Sequence, residues 1–121
     1  MRFREMDRHV AYTDQLGGDD EPIALINVFT MDADDIERFL QVWADDATYM
    51  KRQPGFIRTQ LHRGTRGSAT FVNIATWESA GALRAAITAP EFQAAIARYP
   101  DSVEASPQVC STVAVPGICT A

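Results

Sequence analysis

The sequence predicts an α+β domain of the ferredoxin-like, split βαβ plan: a four-stranded antiparallel sheet carrying its helices on one face. Three observations lead there. Four segments have strand character, two stretches have the three-and-four spacing of amphipathic helices, and their order is strand, helix, strand, strand, helix, strand. A chain of 121 residues has room for one such domain and not for two. Its 46 % hydrophobic and 22 % charged residues are the composition of a chain that buries a core.

Residues 1–21 show no sustained period and end in GGDDEP, which reads as an N-terminal arm leading to a domain over residues 22–121. IALINVFTM, Ile23 to Met31, is the first strand, with Ile23, Leu25, Asn27 and Phe29 on one face and Ala24, Ile26 and Val28 on the other. Asp32 stands as an N-cap before the acidic Asp34 and Asp35, opening a helix from about Ala33 to Arg52. Its apolar stripe is Ile36, Phe39, Leu40, Trp43, Ala47 and Met50, and Pro54–Gly55 ends it. FIRTQLH, Phe56 to His62, alternates with Ile57, Thr59 and Leu61 on one face. The glycines of RGTRGSA then suit a hairpin turn. TFVNIATW, Thr70 to Trp77, sets Phe71, Asn73, Ala75 and Trp77 against Val72 and Ile74. Ser79 caps a helix through Leu83 and Ile87, and Pro90 starts a further turn with Phe92, Ala95, Ile96 and Tyr99. The β-branched VCSTVAV, Val109 to Val115, is the expected last strand.

Two strands are apolar on both faces, whereas helices in this plan cover only one. The bare face therefore calls for a homodimer packed sheet against sheet, a dimeric α+β barrel. The alternative is a monomer whose residues 1–21 fold back over that face.

Net charge is −5, which argues against nucleic acid or an anionic membrane as partner. The longest apolar run is too short to span a bilayer, and the charged N-terminus does not read as a secretory signal, so a cytoplasmic protein is expected. Cys110 and Cys119 form no CxxC motif and read as two free thiols. There is no phosphate-binding glycine loop, no nucleophile elbow and no metal-ligand cluster around His9 or His62, so no cofactor or metal is expected. His62, Arg63 and Arg66 read as a solvated hairpin.

The informative residues are Asn27, Asn73 and Trp77. Strand periodicity places Asn73 and Trp77 on one face, about 13 Å apart, with Phe71 extending it. A mid-strand amide among apolar neighbours loses about 1–3 kcal/mol if left unpaired. In this plan the strands carrying the two asparagines are adjacent, so both amides can enter one cavity between sheet and helices. The structural alternative is that each amide satisfies a nearby loop and Trp77 is plain core. Trp43 belongs to the helical stripe, and from there it can also line the cavity.

INVFT in the first strand, RQPGF after the first helix, FVNIATWES in the third strand and APEF in the next helix resemble the antibiotic biosynthesis monooxygenase family over about residues 22 to 99. The resemblance implies a dimeric ferredoxin-like α+β barrel. Within the family the sequence is most similar to small cofactor-independent oxygenases that turn anthrone-type polyketide intermediates into quinones. It puts Asn27, Asn73 and Trp77 on the pocket's two asparagines and its tryptophan. Haem-degrading relatives carry an iron-binding histidine about ten residues after the tryptophan, where this chain has Ile87. One oxygenase branch has a pocket tyrosine six residues after it, where Leu83 stands here. The expected activity is oxidation of an aromatic anthrone or phenol by molecular oxygen, with Trp77, Phe71 and Trp43 against the ring, Asn73 and Asn27 on its oxygens, and water or Arg98 taking the proton. The alternatives are a non-oxidative, cyclase-like binder of aromatic polyketides and a haem-binding relative.

Overall fold

A computed structural model describes residues 1–18 and 20–121. The strands are β1 (Arg2–Phe3), β2 (Ile23–Thr30), β3 (Phe56–Arg63), β4 (Thr70–Trp77) and β5 (Glu104–Cys110); the helices are α1 (Tyr12–Gln15), α2 (Ile36–Met50), α3 (Ala80–Thr88) and α4 (Pro90–Ile96). They form a ferredoxin-like α+β fold with one sheet in the order β1-β5-β2-β4-β3. β2 pairs antiparallel with β4 and β5, and β3 pairs antiparallel with β4. The expected sheet was four-stranded and antiparallel. The arm adds a fifth strand, because β1 pairs parallel with β5 at Arg2↔Glu104 and Phe3↔Ala105, so the sheet is mixed.

The last strand also lies earlier than its β-branched content suggests, at Glu104–Cys110 instead of Val109 to Val115. Ala24 pairs with Cys110, and beyond it β2 has almost no backbone left to offer. Val113, Val115 and Ile118 consequently sit in an exposed tail. Pro107 is compatible with β5 for a geometric reason. The carbonyls of Val103 and Ala105 face the β1 side, where they accept from Arg2 and Arg4 N–H. Equal parity turns the donor-less nitrogen of Pro107 to that same edge, beyond the end of β1.

Asp32 makes no side-chain cap. Instead its N–H donates to Ser102 Oγ (3.1 Å), whose hydroxyl donates to Asp35 Oδ2 (2.6 Å), tying a 3-10 turn at Ala33–Asp35 to the loop before β5. Ser79 caps α3 as expected, accepting from Ala82 N–H. Gly55 is the residue RQPGF requires: its φ is +88°, and a Cβ there would stand 2.4 Å from that of Ala82.

α2 turns Ile36, Phe39, Trp43, Ala47 and Met50 inward as expected, but leaves Leu40 exposed and buries Val42 in its place. Phe39 packs on Phe29, Phe71 and Tyr99 at ring separations of 5.0, 5.1 and 5.7 Å. A second cluster gathers Leu16, Leu25, Ala75, Trp77, Leu83 and Ala86. In β3 a bulge between Phe56 and Arg58 turns Phe56 onto Trp77 and leaves Ile57, expected beside Thr59, 44 % exposed.

The arm packs on the helix side. Leu16 is buried beside Trp77 and Leu83, and Gln15 bonds Gln108 and Val109 N–H. Its described residues leave the opposite face uncovered, where Ile74 is 39 % exposed. Cys110 and Cys119 are free thiols. Among the described residues, no helix is long and apolar enough to cross a membrane.

Candidate active site

Between the sheet and its helices lies a cavity of about 370 Å³, within the range that holds a small organic ligand. Asn27 and Asn73 stand on its floor. They are direct partners in the β2–β4 register, so strand pairing alone brings the two side chains together on the inner face. Apolar side chains flank them on both strands: Leu25 and Phe29 on β2, Ala75 and Trp77 on β4.

Each amide has a distinct state. Asn73 Oδ1 accepts from the Thr59 hydroxyl at 2.5 Å. This fixes the amide plane and leaves its N–H₂ as the group able to donate to a ligand. Asn27 Oδ1 is buried and has no partner among the described residues. An orphaned buried oxygen is rare in a folded protein and here adjoins the cavity.

Trp77 is 1 % exposed and meets Phe56 edge-on, at 5.4 Å and 89°. Its indole is thus a fixed wall. From above, α2 contributes Trp43, Asp46, Ala47 and Met50, and the later helices add Ile87, Phe92 and Ile96. Arm residues Phe3 and Tyr12, 5.9 Å apart, close one side. Burial pushes the Tyr12 phenol up to about 12, so it stays protonated.

Of the six residues singled out in the sequence, Asn27, Asn73, Trp77 and Trp43 line this cavity. Phe71 and Arg98 do not. Phe71 shares the inner face but lies beneath Phe39, where α2 seals the sheet, and Arg63 covers its ring at 5.3 Å. Arg98 points outward and pairs with Asp45 at 2.9 Å.

Asp46 escaped the sequence reading. Its Oδ2 accepts from the Tyr99 hydroxyl at 3.1 Å, while Oδ1 is buried without a partner among the described residues. Burial pushes its carboxyl up to about 6, opposed by the Tyr99 bond, and Tyr99 itself is raised by burial and by the Asp46 charge. The signal was available in the spacing, since position 46 falls three, four and seven residues after Trp43, Val42 and Phe39.

Residues 22–98 match the model of the antibiotic biosynthesis monooxygenase family. The chain belongs to this family. It is 37 % identical over 76 residues to deoxynogalonate monooxygenase of Streptomyces nogalater, a match spanning 63 % of this chain and 64 % of that protein. Its structure is similar to that of SnoaB, a cofactor-independent oxygenase from Streptomyces nogalater, with a TM-score of 0.72 and 26 % identity. That alignment covers 80 % of this chain and 98 % of SnoaB. A protein of Shewanella loihica PV-4 aligns with a TM-score of 0.69 and 25 % identity, over 81 % of this chain and all of its own. The arm lies outside the residues that match the family model.

Proposed function

We propose that this family member is a cofactor-independent monooxygenase that oxidises an aromatic anthrone or phenol to a quinone with molecular oxygen. The observation that carries the reading is the register pair Asn27–Asn73, two amides at the bottom of an apolar cavity walled by Trp77. The relatives named monooxygenase and cofactor-independent oxygenase support it.

The chemistry asks little of the protein. An anthrone methylene that has lost a proton is an electron-rich enolate, which reduces oxygen directly once held in a dry, oriented site. Trp77 and Trp43 pack against the ring system. The Asn73 N–H donates to the ketone oxygen and gains strength as charge develops there, while the Thr59 hydroxyl holds the amide in place. Asn27 takes a second oxygen substituent. One electron passes from the enolate to oxygen, the resulting radical and superoxide combine, and the hydroperoxide loses water. One oxygen atom ends in the new carbonyl and the other in water, which balances the two methylene hydrogens. Ile87 presents an alkyl group to the cavity, which offers no ligand to a haem iron.

We also propose that the enzyme works in the cytoplasm as a homodimer, the partially exposed sheet face around Ile74 covered by a second copy. A sedimentation mass twice 13.4 kDa is expected, and a 13.4 kDa species at micromolar concentration contradicts it.

Oxygen uptake and quinone absorbance with chelator-treated protein and a panel of anthrones and naphthols test the activity. Asn73→Ala is expected to lower kcat by about 10²–10³-fold. Full turnover in that variant removes the role assigned to Asn73, and tight binding without oxygen uptake by the unmodified protein points to a silent binder.

A further inference from the structure

Proton removal starts this reaction, and it needs an acceptor. Neutral amides are poor bases, and Arg98 lies outside the cavity, tied to Asp45. Of the described residues that line the cavity, one is a carboxylate: Asp46, projecting from α2 above the sheet. One of its oxygens is held by the Tyr99 hydroxyl, and the other is buried with no partner among the described residues. An anchored carboxylate with an idle oxygen beside a ligand-sized space is the arrangement a positioned base requires.

We propose that Asp46 is the general base: its carboxylate takes a proton from the substrate carbon and later returns it to the peroxide. The proposal rests on the oxygenase reading above. In balance, the C–H bond breaks, its electron pair enters the enolate, and the proton moves to Asp46 Oδ1. After the enolate has given one electron to oxygen and the radical pair has joined as a C–O bond, Asp46 protonates the terminal oxygen. It then takes the second proton from the same carbon as the O–O bond breaks, and that proton leaves with hydroxide as water. The carboxylate is regenerated with no further oxidant or reductant.

The surroundings fit this cycle. Burial raises the carboxyl to about 6, closer to neutrality than a free aspartate yet still ionised at pH 7. Tyr99 faces it and keeps its own proton, because burial and the Asp46 charge both raise the phenol. The Tyr49 hydroxyl, one turn along α2, is engaged with Ala86 O at 2.9 Å. Arg98 is engaged with Asp45, and Arg2 and Tyr12 line the same cavity from the arm.

The test uses the full chain and 1,8-dihydroxyanthrone, first without oxygen and then with it. Under anaerobic conditions at pH 7 the unmodified protein is expected to develop the long-wavelength enolate band, and Asp46→Asn is not. With oxygen, kcat is expected to fall about 10²–10⁴-fold in Asp46→Asn. The unmodified enzyme's kcat/KM should rise with pH to a plateau above about 6, and this limb should vanish in the variant. Tyr99→Phe, which removes the bond that lowers the carboxyl, should move the limb to higher pH. Asp45→Asn is the control, since that carboxylate faces solvent. Folding is read separately. Because burial raises the folded-state pKa, the ionised carboxylate costs stability above that pKa, and the isosteric amide is expected to leave the Tm at pH 7 unchanged or higher. An enolate band or pH limb that persists in Asp46→Asn overturns the base while leaving the oxygenase reading intact. Oxygen uptake by the unmodified protein without any anaerobic enolate does the same. Neither enolate nor oxygen uptake with the unmodified protein overturns the oxygenase reading, and the base with it.

Discussion

Two clusters share the inner face of the same two strands, and they are packed in opposite ways. Around Phe39, three aromatic rings pack closely and Phe39 and Val42 have no exposure, with Phe29 and Tyr99 reaching the edge of the cavity. Around Trp77 the buried partners include Ala75, a small side chain on the cavity lining that leaves volume unfilled. Along both β2 and β4 the change occurs at an asparagine: Phe29 gives way to Asn27 and Leu25, Phe71 to Asn73 and Ala75. Protein interiors are close-packed, so a space of about 370 Å³ floored by amides departs from ordinary core packing and has the size of a ligand site. On the proposed function the open cluster takes the substrate and the close-packed one supports the fold, with Tyr99 holding Asp46 where the two meet.

This contrast can be broken at its rigid end. Phe39→Ala removes a ring with no exposure from the centre of the closed cluster and is expected to cost about 3–5 kcal/mol of unfolding free energy in a denaturant titration. A loss below about 1 kcal/mol contradicts the division between the two clusters. At the open end the sign reverses. Asn27→Leu replaces a buried, unpartnered oxygen with methyl groups and is expected to raise stability by about 1–3 kcal/mol while abolishing turnover. Destabilisation by that variant means Asn27 is satisfied within the protein and serves the fold. The smallest effect belongs to Arg98→Ala, which removes an exposed ion pair. It is expected to change stability by less than about 0.5 kcal/mol and turnover hardly at all, as thermal melts and initial rates will show.

Much of the fold was legible because periodicity reports which side of an element is buried. IALINVFT and TFVNIATW alternate about their asparagines, and register then pairs those residues across the sheet. What escaped was set by partners outside the local sequence. Glu104–Cys110 is a strand because β2 has an open edge to receive it, although EASPQVC has little β-propensity and contains a proline. Ile57 was assigned to the wrong face because one bulge reverses alternation. Two arm residues became an edge strand through contact with β5 alone. For the site, Asn27, Asn73, Trp77 and Trp43 could be read from face and spacing. Phe71 could not be separated from them, since only the position of α2 decides which part of the face is sealed. Asp46 was passed over because an acidic residue beside Asp45 reads as solvated surface, although the inward stripe of α2 runs through it.

The most direct test of the central claim is isotopic. Chelator-treated protein is supplied with an anthrone under ¹⁸O₂ in unlabelled water, and the quinone is examined by mass spectrometry before its carbonyls exchange. The account predicts one labelled oxygen in each new quinone, formed well above the uncatalysed rate and lost with Asn73→Ala. A quinone without label, or formation no faster than without protein, contradicts it.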